Sequence, residues 1–104
     1  MRTNSGAARL LPWTTTSGDP CYLLGDGAGK VSRMADRVEA AQLSMAGELL
    51  GHAADILADR RSTSVQVHYL ACRLAESLGD VRRVAESRGR RLGDASGEQA
   101  TDGV

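Results

Sequence analysis

Residues 33–60 read RMADRVEAAQLSMAGELLGHAADILADR, and this stretch decides the fold. Met34, Val38, Ala41, Met45, Leu49, His52 and Ile56 recur at steps of three or four, the repeat of one face of an α-helix. A second row, Leu43, Leu50 and Leu57, falls at every seventh residue. The two rows together make an apolar face wider than a simple heptad seam. Ser32 is the expected N-cap, with the helix spanning 32–60. Gly47 and Gly51 lie inside it, each costing about 1 kcal/mol relative to Ala. A close approach by another helix is the usual reason for glycines in such places.

Toward the C-terminus, RRSTS (residues 60–64) breaks the pattern. Thr63 followed by Gln66 fits a capping box that opens a second helix over 64–92. Its apolar positions are Val67, Leu70, Ala71, Leu74, Leu78, Val81, Ala85 and Leu92. Gly79-Asp80 is expected to weaken or kink it, and Gly93 to stop it. Residues 93–104 read as a disordered acidic tail. Two helices of about 28 residues, each about 42 Å long at the α-helical rise, are antiparallel neighbours when a short loop joins them.

Toward the N-terminus, residues 1–19 are rich in Ser, Thr, Gly and Arg and read as a disordered tail. Within it, LLPW (residues 10–13) is the exception, with Trp13 expected to dock on the helices. Cys21–Leu24 and Lys30-Val31, either side of a Gly/Asp turn, suggest a short extended or β-hairpin segment over 20–31. The fold class is therefore all-α: a long two-helix hairpin, residues 20–92, with a short N-terminal extended segment and loose tails. Two helices cannot bury wide apolar faces on both. The favoured solution is a homodimeric four-helix bundle. Its interface is Leu43, Leu50 and Leu57 from the first helix with Leu70, Leu74, Leu78 and Val81 from the second. The alternative is a monomer whose N-terminal segment folds back as a third layer.

Composition narrows the class. The chain has 104 residues, a formal net charge of zero and no Phe, with Trp13, Tyr22 and Tyr69 its only aromatics. A core of small aliphatics suits packed helices better than sandwiches. Two cysteines, Cys21 and Cys72, make no disulfide framework. No apolar h-region follows Arg2 or Arg9, and no run approaches the ~18 residues that span a bilayer. A cytoplasmic chain with reduced thiols and no membrane contact is expected.

The glycine-rich stretch GDGAGKVS (residues 25–32) invites a phosphate-binding reading, which it fails. The Walker A spacing needs Gly where Leu24 stands and a hydroxyl where Val31 stands. The glycines read instead as turn residues and Lys30 as solvated. Antiparallel pairing sets His52 level with Cys72 and brings His68 within a turn, but a zinc site needs four ligands at recognised spacings. Asp55 and Asp59 sit on a polar face, and a Cys72–His52 pair has no oxyanion loop beside it. No catalytic residue, metal ligand or cofactor is assigned, and the chain reads as a non-enzyme.

One charge feature remains. Residues 80–92 hold Arg82, Arg83, Arg88, Arg90 and Arg91 against Asp80 and Glu86. Arginines at a helix C-terminus complement its dipole, and the functional alternative is contact with nucleic acid or an acidic partner. The stretches PCYLLGDGAGKVSRMADRVEAAQLSMAGELLGHAADILADR (residues 20–60) and LACRLAESLGDVRRVAESRGRRL (residues 70–92) resemble small helical proteins of Streptomyces-type actinobacteria that have no assigned activity. The likeness covers roughly residues 12–92, and RVAESRG (residues 83–89) is its most specific piece. It implies a short extended segment and two long helices. It also implies, slightly, a regulatory role beside helix-turn-helix regulators, and it supplies no site residue. The functional expectation is a non-enzymatic helical module that binds an unidentified protein partner, with a nucleic-acid accessory role as the alternative.

Overall fold

The computed structural model describes residues 8–25 and 29–103, with side chains as far as Gly93. Two strands precede two helices: β1 (Arg9–Thr14), β2 (Pro20–Leu23), α1 (Lys30–Ala58) and α2 (Ser64–Gly103). The protein is mostly helical, with a small antiparallel sheet at its N-terminal end. The helical hairpin follows the sequence reading. The capping box also forms: Thr63 N–H donates to Gln66 Oε1 at 2.7 Å, and Gln66 N–H donates to Thr63 Oγ1 at 3.1 Å. In the loop before it, Asp59 Oδ1 accepts from the Arg61 backbone N–H at 2.9 Å and from its Nε at 3.2 Å. Those two bonds hold the Asp59 carboxyl below the ordinary carboxylate range.

Three details differ from expectation. Arg9–Thr14 is a strand rather than part of a loose tail, and β2 pairs with it rather than with Lys30-Val31. The pairing sets Arg9 against Leu23, Leu10 against Tyr22 and Thr14 against Pro20, with an irregularity between Leu10 and Thr14. Pro12 lies in that interval, and a residue without an N–H has no donor to give the ladder. The turn is built by Thr15, whose Oγ1 accepts from Ser17 and Asp19 N–H, while Gly18 takes φ +88°, which suits glycine. Lys30 and Val31 instead open α1; residues 26–28 of the expected turn lie outside the described residues, as do residues 1–7 of the expected tail.

The second difference is at Ser32. Gly29 occupies the N-cap without a side-chain bond, and Ser32 is buried in the first turn with another task. Third, α2, which holds Gly79-Asp80 within its span, continues past Gly93 to Gly103, where a stop and a loose tail are expected.

β1 is the key to the packing. Arg9, Leu10, Leu11 and Pro12 are all buried, so both faces of the strand are covered. It packs chiefly on α2 and also touches α1. Its carbonyls are used by the helices: Ser87 Oγ donates to Leu10 O at 3.0 Å, and Gln42 Nε2 donates to Pro12 O at 3.0 Å. The Arg9 guanidinium reaches α1, donating through Nη1 to Ser32 Oγ at 2.6 Å and Ser32 O at 3.1 Å. Through Nη2 it donates to Asp36 Oδ1 at 2.8 Å and Glu39 Oε2 at 3.2 Å. Glu39 is 1% exposed and is also held by Arg88 Nη2 of α2 at 3.4 Å. Burial alone lowers the Arg9 pKa; the bonds to Asp36 and Glu39 and their charges outweigh it and hold the group above its ordinary value.

Apolar burial is modest beside this network. Among the described residues the buried apolar side chains are Leu10, Leu11, Pro12, Ala35, Ala53, Leu70 and Val84. The radius of gyration is 18.0 Å, against ~13 Å for a compact domain of this length. Two stability outcomes follow. Arg9→Ala leaves Glu39 buried with one weak partner and is expected to lower unfolding free energy by about 3–5 kcal/mol in urea denaturation. Gly79→Ala adds a Cβ that meets nothing within 4 Å, and is expected to raise it by about 1 kcal/mol.

Candidate functional site

The described residues offer four features: an arginine cluster, a histidine–cysteine pair, a cleft and an open apolar face. The arginines are engaged within the chain. Arg82 Nε pairs with Glu86 at 3.2 Å, Arg83 with Asp80 at 3.3 Å, and Arg88 with Glu39 at 3.4 Å. Arg91 donates to Ser87 Oγ at 2.7 Å. Arg90 lies 5.3 Å from the centre of the Tyr22 ring and 3.4 Å from its hydroxyl, within cation–π range. Arg88 and Arg90 thus fasten α1 and the sheet, respectively, to the C-terminal half of α2, while the Arg91 bond stays within that helix. Sequence reasoning saw five charges on one helix and missed that two of the partners, Glu39 and Tyr22, sit on other elements.

The histidines and cysteines do not converge. His68 Nε2 and Cys72 Sγ stand 3.6 Å apart on an exposed turn of α2. His52 sits elsewhere, in a cleft on the α1–α2 seam. No group of three or more His, Cys, Asp or Glu among the described residues is arranged to hold a metal ion. The cleft has a volume of about 340 Å³ and is lined by the apolar Met45, Leu49, Ile56 and Leu70 together with Glu48, His52, Tyr69 and Arg73. Arg73 is drawn toward Glu76 at 2.8 Å. The walls are therefore mixed, apolar side chains of both helices alternating with ionisable ones. Lys30, the cation of the phosphate-loop reading, is exposed in the first turn of α1.

The cleft also orients the hairpin. The buried or half-buried seam of α1 is Gln42, Ala46, Leu49, Ala53 and Ile56; that of α2 is Leu70, Leu74, Ser77 and Val81. Met45 and His52 flank one side of the α1 seam, and Tyr69 and Arg73 flank one side of the α2 seam; all four line one cleft. Helical spacing sets Leu43, Leu50 and Leu57 on the other flank of α1, and Val67, Ala71 and Leu78 on the other flank of α2. Those two flanks meet on the opposite side of the hairpin.

This face is open. Leu50, Leu57 and Leu78 are 65%, 69% and 68% exposed, and Leu43 and Val67 are also exposed. The seven residues expected at an interface therefore divide. Leu70 is buried, and Leu74 and Val81 half-buried, in the seam of the chain itself, whereas Leu43, Leu50, Leu57 and Leu78 remain uncovered. No helix among the described residues is long and apolar enough to cross a membrane.

The exposed Cys72 and the half-buried Cys21 give a direct check on this arrangement. Iodoacetamide is expected to label Cys72 several-fold faster than Cys21, read by peptide mass spectrometry; equal rates would mean that the β1–β2 sheet does not shield its cysteine. Compared with protein-family models, curated proteins and solved structures, the chain finds no match in any of the three.

Proposed function

We propose that the protein is a non-enzymatic helical interaction module, regulatory or accessory in role, which works by burying the open face of its hairpin against a protein partner. The observation that carries this reading is the exposed row Leu43, Leu50 and Leu57 beside Val67 and Leu78. Burying one such side chain is worth roughly 1.5–3 kcal/mol. A contiguous patch of this kind is what protein-binding surfaces present. The nucleic-acid reading has no comparable support, because Arg82, Arg83, Arg88, Arg90 and Arg91 each hold a partner in the chain.

The test is the double variant Leu50→Asp, Leu78→Asp. Both positions are exposed, so helicity by circular dichroism is expected to stay unchanged. Association, followed by sedimentation equilibrium across a concentration series, is expected to weaken by several kcal/mol as charges enter an apolar contact. Loss of helix in the double variant would identify the face as core and overturn the reading. So would an unsubstituted chain that is monomeric throughout and does not bind an apolar-surface dye.

A further inference from the structure

We infer that the cleft on the α1–α2 seam is a binding site for a small organic cation, an ammonium group that carries an apolar body. The cleft lies on the side of the hairpin opposite the open leucine face, so this inference does not rest on the interaction reading above.

Packing explains why the cleft is there. Along the seam α1 alternates large and small side chains, Leu49 and Ile56 with Ala46 and Ala53. Leu70 of α2 is the most buried of the lining residues. The two bulky neighbours that would close over the space, Met45 and Tyr69, stand out toward solvent instead, 52% and 66% exposed. Its volume of about 340 Å³ falls within the ~300–1,000 Å³ of small-molecule sites, which combine apolar walls with a few polar groups.

Charge decides the class of occupant. Past Met45, Leu49 and Arg73 the cleft runs on into a recess of about 60 Å³ that Gln42, Glu76, Ser77 and Asp80 also line. The two spaces together carry three carboxylates, Glu48, Glu76 and Asp80, against the single guanidinium of Arg73. That guanidinium is already met by Glu76 at 2.8 Å, and Asp80 is met by Arg83 at 3.3 Å. Glu48 is exposed and has no ion-pair or hydrogen-bond partner among the described residues. Its carboxylate is the one wall charge left without a counter-ion. Gln42 Oε1, buried with no donor to meet it, adds to the excess of acceptors.

The remaining walls suit the same ligand. A cation is drawn to the face of a phenol ring, which Tyr69 supplies on the wall opposite Glu48. An apolar body then covers Leu49, Ile56 and Leu70, removing them from water. An anion of the same shape would meet Glu48, Glu76 and Asp80 while the only guanidinium of the walls is engaged, so complementarity excludes it.

The test uses three probes with one phenylbutyl body and different heads: the amine, the alcohol and the carboxylate. Each is titrated into the isotopically labelled full chain at neutral pH, and binding is read from backbone amide shifts. The ammonium is expected to bind at least ten-fold tighter than the carboxylate and at least three-fold tighter than the alcohol, with shifts centred on Leu49, His52 and Tyr69. Glu48→Gln removes a charge from an exposed position that holds no other group. It is expected to keep the helix signal and to bring the ammonium within two-fold of the alcohol. Equal affinity for the three heads, tighter binding of the carboxylate, or no saturable binding would each overturn the inference. So would shifts centred on Leu50 and Leu78, or an ammonium preference that survives in the Glu48→Gln chain. None of these outcomes bears on the interaction reading, which is decided by association through the opposite face.

Discussion

The structure depends on one buried cation. Arg9 is 8% exposed, and its guanidinium finds acceptors on Ser32, Asp36 and Glu39, which fall on one side of α1 over its first turns. A charge removed from water must be met by well-placed partners, or the fold that buries it is lost. This fixes the height of β1 against α1 and its depth in the molecule. An apolar strand of small side chains could slide along a helix at little cost; a planar fork held by a hydroxyl and two carboxylates cannot. Glu39 extends the constraint to α2 through Arg88, and Ser87 extends it again through the carbonyl of Leu10.

The two ends of the helical hairpin therefore obey different rules. The end that carries the sheet is locked by directional polar contacts, with Glu39, Ser32 and Ser87 among its most completely buried side chains. Near the loop the helices meet along a thin seam, with Ala53 and Leu70 buried. Polar locking confers uniqueness of arrangement more than stability, whereas apolar burial confers stability with little direction. The chain has the first in one half and a shortage of the second in the other. The open face on the loop half is the natural place for that shortage to be made good.

The helices were legible because a period of 3.6 is written plainly in Met34 through Ile56 and in Val67 through Leu92, and because Thr63 and Gln66 carry their own geometry. β1 was not legible, for a physical reason. A strand covered on both faces shows no alternation, and Arg9-Leu10-Leu11-Pro12 mixes a charge and a proline into the run. Its neighbours, Thr14 to Asp19, look like tail until Thr15 is seen to gather four turn hydrogen bonds. Cys21–Leu23 was readable as a strand, but its partner lay upstream rather than downstream. Periodicity also cannot tell which apolar positions a chain covers for itself. Leu74 and Leu78 look alike in sequence, yet one is half-buried in the seam and the other open. For the arginines, local spacing shows the Asp80 and Glu86 pairs, while Glu39 and Tyr22 become visible only in three dimensions.

The span of the Ser87–Leu10 bond bears on how the chain is made. Its two ends are 77 residues apart, so β1 cannot complete its packing until the residues up to Ser87 have been made. Arg9 can reach Ser32, Asp36 and Glu39 as soon as the first turns of α1 have emerged, which offers the strand a temporary berth. The ion network is thus available early and the α2 clasp only late. During synthesis the polar contacts of the sheet with α1 can form before α2 exists, and Leu10 and Leu11 await their full cover until α2 swings back alongside.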